Sequence, residues 1–201
     1  ESHHGFSRHS DYVWLRVDNW MEVMANPDVL DPEVKAYLDA ENDYTKAVLA
    51  PTEALQERLF NEIKGRIKED DQSPPVKDGA FAYSVRFRTV GQYAIHCRKD
   101  RNDATDTSEH VLFDGDKEAE GFDYFRMAGS SVSDDHSLMA WSVDTKGSEF
   151  FTIRVRDLAT GKELPDSIER TAGGVAWAPD GASFFYTWQD DNHRPCRVFQ
   201  H

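Results

Sequence analysis

The sequence has 201 residues, of which 39% are hydrophobic and 12% aromatic, and this content is typical of a folded protein rather than a disordered one. Its 37 acidic and 23 basic residues give a net charge of −14, and the acids are spread along the chain without any basic cluster. Binding to nucleic acid or to an anionic membrane surface needs clustered Lys and Arg, so both classes of partner are disfavoured.

The sequence also lacks the marks of a membrane or disulfide-rich secreted protein. No apolar run approaches the roughly 20 residues that a membrane helix needs. Cys97 and Cys196 are too few for a disulfide framework, which favours a reduced, cytoplasmic location. A periplasmic location is left open, because the chain begins at Glu1 and a removed leader would not be visible.

The first third of the chain is predicted to be helical. Asp18 or Asn19 can cap a short helix that Pro27 ends. Asp31-Pro32 then starts a second helix, because a capping acid precedes a proline at the first helical position. Two helices are therefore expected before residue 51.

A third helix opens at Pro51-Thr52, and its apolar residues recur every four positions, at Leu55, Leu59, Ile63 and Ile67. The acid-rich stretch KEDDQSPP, residues 68–75, ends this helix because two prolines cannot continue it. This is the clearest boundary in the sequence. It predicts a helical segment at residues 1–72 and a second domain at residues 73–201.

After Pro75 the hydrophobic period changes to two, and one pattern occurs three times, as DGAFAYSV, DHSLMAWSV and DGASFFYTW. Each copy is a turn and a strand ending in an aromatic residue, and a second strand follows. The aromatic residues are Tyr83, Trp141 and Tyr186, at intervals of 58 and 45 positions. Hairpin repeats of roughly 40–50 residues are typical of propeller blades, and an ordinary antiparallel sheet or sandwich is the alternative.

The predicted fold is therefore α+β, with N-terminal helices followed by about three blades of a β-propeller at residues 73–201. Propellers close with about 4–8 blades, so three copies predict an unfinished ring. No complete active site is visible in the sequence. The stretch nearest to a Gly-x-Ser-x-Gly elbow, AGSSVS at residues 128–133, lacks the second glycine. Neither a metal-ligand spacing nor a phosphate loop predicts a cofactor.

Five ordered stretches together resemble the prolyl oligopeptidase family of serine peptidases, and most closely its oligopeptidase B branch, also called protease II. They are DYVWLRVDN, YLDAEN, GRIKEDD, KGSEFFTIRVRDLATG and NHRP. The resemblance implies a longer parent protein, in which the helical segment packs on a C-terminal hydrolase domain and a seven-bladed propeller is inserted between them. It implies that the Ser-Asp-His triad lies in the C-terminal part, so no catalytic residue is expected in this chain.

The resemblance also implies hydrolysis of short peptides after Arg or Lys, with a propeller that excludes folded proteins from the active site. Thr171, Ala172 and Gly173 fall where prolyl-specific relatives place a bulky aromatic residue, so they are candidate channel-lining or interdomain residues. Asp123 heads a predicted inner strand and is a further candidate, although a solvated rim acid is the simpler interpretation. The alternative function for the whole chain is a non-enzymatic propeller module that binds a protein partner.

Overall fold

The first third of the chain is mainly helical and the rest is mainly strands, as the sequence predicts. The structure, a computed structural model, describes residues 2–7 and 9–201. The chain divides into two units, Glu1–Ile67 and Lys68–His201. Among the described residues, no helix combines the length and the apolar character needed to cross a membrane.

The first unit contains a short hairpin and three α-helices. These elements are β1 (Ser2–His3), β2 (Phe6–Ser7), α1 (Trp20–Ala25), α2 (Pro32–Leu49) and α3 (Glu53–Lys64). Asp31 caps α2 as predicted, because its Oδ1 accepts hydrogen bonds from the backbone N–H groups of Glu33 at 2.8 Å and Val34 at 3.2 Å. The third helix ends at Lys64, before the acid-rich stretch, with Gly65 at its C-cap.

The helices of the first unit leave most of their apolar residues exposed. Val34 is the only fully buried hydrophobic residue among the described residues of this unit. Leu55, Leu59 and Ile63, which form the predicted apolar face of α3, are 45–59% exposed. Within this unit, α3 therefore has no partner that covers its apolar face.

The second unit contains a four-stranded and a six-stranded antiparallel sheet, in which strands pair in chain order. The four-stranded sheet, here the first blade, is formed by β3 (Val76–Asp78), β4 (Phe81–Arg86), β5 (Ile95–Asp100) and β6 (His110–Asp114), and a short helix α4 (Gly115–Glu118) follows it. The six-stranded sheet is formed by β7 (Arg126–Val132), β8 (Leu138–Asp144), β9 (Phe151–Asp157), β10 (Glu163–Trp177), β11 (Phe184–Gln189) and β12 (Pro195–Gln200).

The 15-residue strand β10 joins two blades within the six-stranded sheet. Its first half pairs with β9 up to Thr171, and from Thr171 onward it pairs with β11. The register shifts on both sides of Thr171, and Arg170 and Gly173 have positive φ angles of 60° and 85°. These irregularities form a bend, so β7–β9 with the first half of β10 make the second blade, and the second half with β11 and β12 makes the third.

The blades are held together by two apolar clusters, and β8 contributes to both. Met139, Trp141 and Val143 face the first blade and join a cluster with Leu112 and Phe113. Ala140, on the opposite face of β8, joins Ile153, Val155 and Phe184 in a cluster shared with the third blade. This alternation follows from the period of two in a strand, and a central blade is buried on both faces.

The three repeated aromatic residues do not occupy equivalent positions. Trp141 and Tyr186 each face the preceding blade, whereas Tyr83 packs against the cluster between the first and second blades and so faces the following one. There its hydroxyl lies 2.8 Å from Nδ1 of His136, at the β7–β8 turn. The sequence repeat is therefore out of phase by one face at its first copy, and only the packing reveals this.

Arg156 forms a buried polar link between the first and second blades. Its side chain is 10% exposed, donates to Glu163 at 2.6 Å and to Glu118 at 2.7 Å, and reaches the carbonyl oxygen of Leu112 at 3.0 Å. Trp141 donates its indole N–H to the same Glu163 carboxylate at 3.2 Å. Both sheets therefore contribute acceptors to one guanidinium, which fixes the position of one blade on the next.

Aspartates close many of the turns of the second unit. Asp135 accepts from the hydroxyl of Ser133 at 2.6 Å and from the backbone N–H of Ser137 at 3.1 Å, and these bonds lower its pKa to about 2. Asp157 accepts from the N–H of Thr160 at 2.8 Å, which also lowers its pKa. The acids of this chain thus serve its hairpins, because a carboxylate satisfies the donors that a tight turn leaves unpaired.

Candidate functional site

The candidate residues Asp123 and Thr171–Gly173 lie at the same end of the six-stranded sheet. This end, called the bend end below, comprises the start of β7 with residues 123–125, the β8–β9 loop, the bend of β10 and the β11–β12 loop. The pairing register places Arg126 opposite Asp144, and Thr171 between Phe151 and Trp188. The chain topology therefore brings four separate segments together here.

Asp144 builds the β8–β9 loop at the bend end. It is 2% exposed, and its Oδ1 accepts from the N–H groups of Lys146 at 2.8 Å and Gly147 at 3.1 Å. Its Oδ2 accepts from the N–H of Glu149 at 2.7 Å. A buried carboxylate that satisfies three backbone donors fixes the loop that carries Phe150.

Thr171 and Gly173 are buried and hold the bend in place. The Thr171 hydroxyl donates to the carbonyl oxygen of Phe151 at 2.9 Å and accepts from the N–H of Gly173 at 3.2 Å. The hydroxyl of Ser142 donates to the carbonyl oxygen of Gly173 at 2.7 Å. A Cβ at Gly173 would lie 2.6 Å from the Cβ of Ala128, and the φ of +85° also requires glycine.

Ala172 and Asp123 are the candidates whose side chains remain accessible within the second unit. Ala172 is half-buried, and Asp123 is exposed in a bend just before β7. Thr171 and Gly173 position this segment, whereas Ala172 and Asp123 present atoms to whatever approaches the bend end. A role of these four residues in lining a channel or an interdomain contact stays a prediction.

The bend end also carries a stack of cationic and aromatic side chains that the sequence did not reveal. We call it the Arg170 stack, and its members in order are His193, Phe150, Arg170, Trp188 and Arg197. The His193 and Phe150 rings are stacked with centroids 4.0 Å apart. The Arg170 guanidinium carbon lies 4.7 Å from the Phe150 centroid and 5.4 Å from that of Trp188. At the other end of the stack, the Arg197 guanidinium carbon lies 5.5 Å from the Trp188 centroid.

Two buried nitrogen atoms of the bend end lack a hydrogen-bond partner among the described residues, whereas the nearby Gln189 amide is satisfied. Arg170 donates through Nη2 to Asp191, but its Nε is buried and has no hydrogen-bond partner among the described residues. The same is true of Nδ1 of His193. Gln189, with its amide nitrogen turned toward the bend, donates to the carbonyl oxygens of Thr171 at 3.1 Å and Glu149 at 3.2 Å.

A cleft lies between the first and second blades, away from the bend end. Its volume is about 300 Å³, and its walls include Tyr83, His96, Cys97 and Met139. Burial lowers the pKa of His96 and raises the pKa of the Cys97 thiol, so both side chains are neutral near pH 7. Within the part of the chain that the structure describes, no group of three or more His, Cys, Asp and Glu side chains is arranged to hold a metal ion.

The architecture and the sequence agree with one family of known proteins. All residues from 1 to 201 match the family described as prolyl oligopeptidase, N-terminal beta-propeller domain. The chain belongs to this prolyl oligopeptidase propeller family. The resemblance to this family and the helices followed by the first propeller blades are thereby confirmed.

Individual members of the prolyl oligopeptidase family are similar over nearly the whole chain. Dipeptidyl aminopeptidase BI of Pseudoxanthomonas mexicana is 35% identical over 93% of this chain, and Protease 2 of Moraxella lacunata is 30% identical over 98%. The structure of oligopeptidase B from Leishmania major is 29% identical over 96%, with a TM-score of 0.85. This chain spans only about a quarter of each of these proteins, namely 26%, 28% and 26%.

Proposed function

We propose that this chain is the N-terminal part of a serine oligopeptidase that hydrolyses short peptides after Arg or Lys. The observation that carries the proposal is the match to Protease 2 and oligopeptidase B over nearly all of this chain, which spans only about a quarter of their length. A catalytic domain in the remaining part would supply the nucleophile and its acid–base partners. This chain alone would then hydrolyse nothing.

In this proposal the strand unit limits the size of the substrate. Within the described chain β12 pairs only with β11, and all six of its residues are exposed, so another strand would extend the third blade. Further blades would close a ring, because propellers contain about 4–8 of them. A ring above an active site admits only peptides that fit its opening, and the bend end with Asp123 and Ala172 would face them.

The helical segment, residues 1–72 in this proposal, packs on the catalytic domain. The support is the apolar surface of α3, where Leu59 is 45% and Ile63 is 59% exposed. An amphipathic helix gains most of its stability from packing, so an uncovered apolar face needs a partner. The catalytic domain of the same chain is the occupant that the family architecture provides.

We also propose a cytoplasmic location for the parent protein. The two cysteines are free, with Cys97 buried and Cys196 exposed. An exposed free thiol is stable in a reducing compartment. The other proposed partners are short peptides, and neither nucleic acid nor a membrane is among them.

A second candidate activity is the removal of dipeptides from peptide amino termini. It is favoured by the 35% identity to dipeptidyl aminopeptidase BI, which exceeds the 30% identity to Protease 2. The two activities differ in their need for a free amino group. An enzyme that releases dipeptides must recognise the α-ammonium group, whereas cleavage after Arg or Lys within a short peptide does not require it.

The experiment is an assay of the full-length parent with two fluorogenic Arg peptides of equal length, one with a free and one with an acylated amino terminus. Hydrolysis of both, abolished by a serine-directed inhibitor, supports the oligopeptidase. Hydrolysis of the free peptide alone supports the dipeptidyl aminopeptidase. No hydrolysis of either, together with a downstream sequence that lacks a Gly-x-Ser-x-Gly motif, supports the non-enzymatic propeller module instead.

A further inference from the structure

We propose that Arg170 is the centre of a carboxylate-binding subsite at the bend end, and that it takes the α-carboxylate of a short peptide. The inference rests on the proposed peptidase function and deepens it by naming the part of the substrate that this chain binds. Arg170 would be a specificity-determining residue, because it touches the substrate far from the bond that is cleaved.

The guanidinium of Arg170 is held so that it can donate only in its own plane. Phe150 and Trp188 lie 4.7 and 5.4 Å from its central carbon, and such ring contacts remove water from the faces of the group. Phe150 is itself fixed by the Asp144 loop and by the stacked His193 ring. A planar, weakly hydrated fork with fixed edges is the geometry that recognises a carboxylate.

A carboxylate of the protein itself already occupies part of this site. Asp191 accepts a hydrogen bond from Nη2 of Arg170, and its side chain lies on the β11–β12 loop with 68% of its surface exposed. Arg170 still exposes 39% of its side chain. The ion pair therefore shows that a carboxylate fits against this edge of the guanidinium. Because the Asp191 side chain is mostly exposed, this edge can be reached from solvent.

The backbone of Arg170 adopts a strained conformation. Its φ of 60° lies in the left-handed region, which is strained for a residue with a Cβ. Glycine would adopt this conformation without strain. The strain is localised in the bend, directly before Thr171, where the register shifts between the second and third blades.

The bend end carries charges of both signs and is not a basic patch. Its segments hold Arg126, Arg170 and Arg194 together with Asp123, Asp144, Glu149, Asp190 and Asp191, and Arg126 is paired with Glu149. The Arg170 guanidinium itself, rather than a net positive surface, would therefore hold the anion. Every short unmodified peptide carries an α-carboxylate, so this group is the anion that a peptidase meets in each of its substrates. An acidic side chain would offer the same chemistry, and the experiment separates the two sources.

The test uses the full-length parent and three short peptides that share one Arg cleavage site and one amino terminus. The first has a free carboxyl terminus, the second a carboxyl-terminal amide, and the third is the amide with Glu as its last residue. We expect a KM about tenfold lower for the free acid than for the amide at equal kcat, which is the effect of one charge-assisted hydrogen bond. A Glu amide that matches the free acid would show that a side-chain carboxylate is also accepted.

Two variants act in opposite directions on this ratio. Arg170→Gln should bring the KM of the free acid to within about twofold of the KM of the amide, both measured with this variant. Asp191→Asn should lower the KM of the free acid about threefold, because it removes the competing carboxylate. Arg154→Gln, an exposed arginine on β9, is the charge-matched control and should change neither value.

The outcomes separate this inference from the proposed function. If neither the free acid nor the amide is hydrolysed, the proposed function and the subsite both fail. If the free acid and the amide are hydrolysed with the same KM, the proposed peptidase function stands and the subsite is wrong. The subsite is also wrong if Arg170→Gln weakens acid and amide equally, because Arg170 then only supports the bend, or if Asp191→Asn leaves the acid preference unchanged.

Discussion

The helical unit and the strand unit of this chain differ in where their apolar residues find a partner. Of the sixteen buried hydrophobic residues in the described chain, fifteen belong to Lys68–His201 and only Val34 belongs to Glu1–Ile67. The strand unit fills the spaces between its own blades, whereas α3 exposes Leu59 and Ile63. One unit therefore makes its own core, and the other leaves most of its apolar residues exposed.

The difference follows from the geometry of the two kinds of element. Each hairpin satisfies its backbone by pairing with the next strand, and its turns are closed by nearby aspartates such as Asp135 and Asp157. A blade then buries both faces between neighbours, as β8 does. The three helices satisfy their own backbones but leave most of their apolar residues exposed, and an amphipathic helix gains most of its stability from packing.

The largest effect is expected at the polar link between the blades. Arg156→Ala leaves Glu118 and Glu163 without their guanidinium and should lower the free energy of unfolding by about 3 kcal/mol. The measurement is guanidinium chloride unfolding, with hydrogen exchange to show that β8 and β9 lose protection. Arg154→Ala, two residues away and exposed, is the control and should cost less than about 0.5 kcal/mol. Equal losses in both variants would mean that the strand unit does not depend on this link.

The bend of β10 offers a matched pair of adjacent glycines. Gly173→Ala should cost about 2 kcal/mol, because the new Cβ meets Ala128 at 2.6 Å and φ is positive. At Gly174 no described atom lies within 4 Å of the added Cβ, so Gly174→Ala should change the free energy of unfolding by less than about 0.5 kcal/mol. Thermal unfolding of both variants measures this difference, and two equal midpoints would show that the bend is not a tight junction between blades.

The comparison of the two units also predicts which one makes the isolated 201-residue chain associate. We expect this chain to self-associate, and the double variant Leu59→Glu/Ile63→Glu should shift it toward the monomer, because it adds charge to the exposed face of α3. The competing source is the edge strand β12, tested by Val198→Lys at a residue that is 68% exposed. Light scattering after size-exclusion chromatography measures both. A larger shift toward the monomer in Val198→Lys would mean that the edge strand β12 of the strand unit, and not α3, causes the association.

The smallest expected effect is the acid sensitivity of the Asp turns. The pKa of Asp135 is about 2 in the folded chain, below its ordinary 3.8, so its stabilising contribution is present above about pH 4 and is lost as the pH falls toward 2. Asp135→Asn should therefore flatten the decline of the unfolding midpoint between pH 4 and 2. Asp134→Asn, at the exposed neighbouring aspartate, is the control for the loss of one carboxylate. If the unfolding midpoint of Asp135→Asn falls as steeply as that of the wild type, this turn does not contribute to the acid sensitivity of the strand unit.

Local chemistry made much of the fold predictable from the sequence. The Asp31-Pro32 start of α2 was predictable because a side-chain cap acts within three residues. The change of period after Pro75 predicted the strands, and the recurring hairpins predicted blades. The segment Thr171–Gly173 was singled out through a family resemblance, and the close approach of Gly173 to Ala128 appears only in the structure.

What each face of a strand touches was decided only by the tertiary structure. Tyr83 and Trp141 hold the same place in the repeat but face each other across one interface, because the phase of a strand depends on how its blade packs. The Arg170 stack joins residues from three separate segments, and no pattern along the chain marks contacts that arise when a strand bends. Local hydrogen bonds and hydrophobic period are properties of neighbouring residues, and so they appear in the sequence. The bend end forms only when the blades pack side by side, and so it is not visible in the sequence.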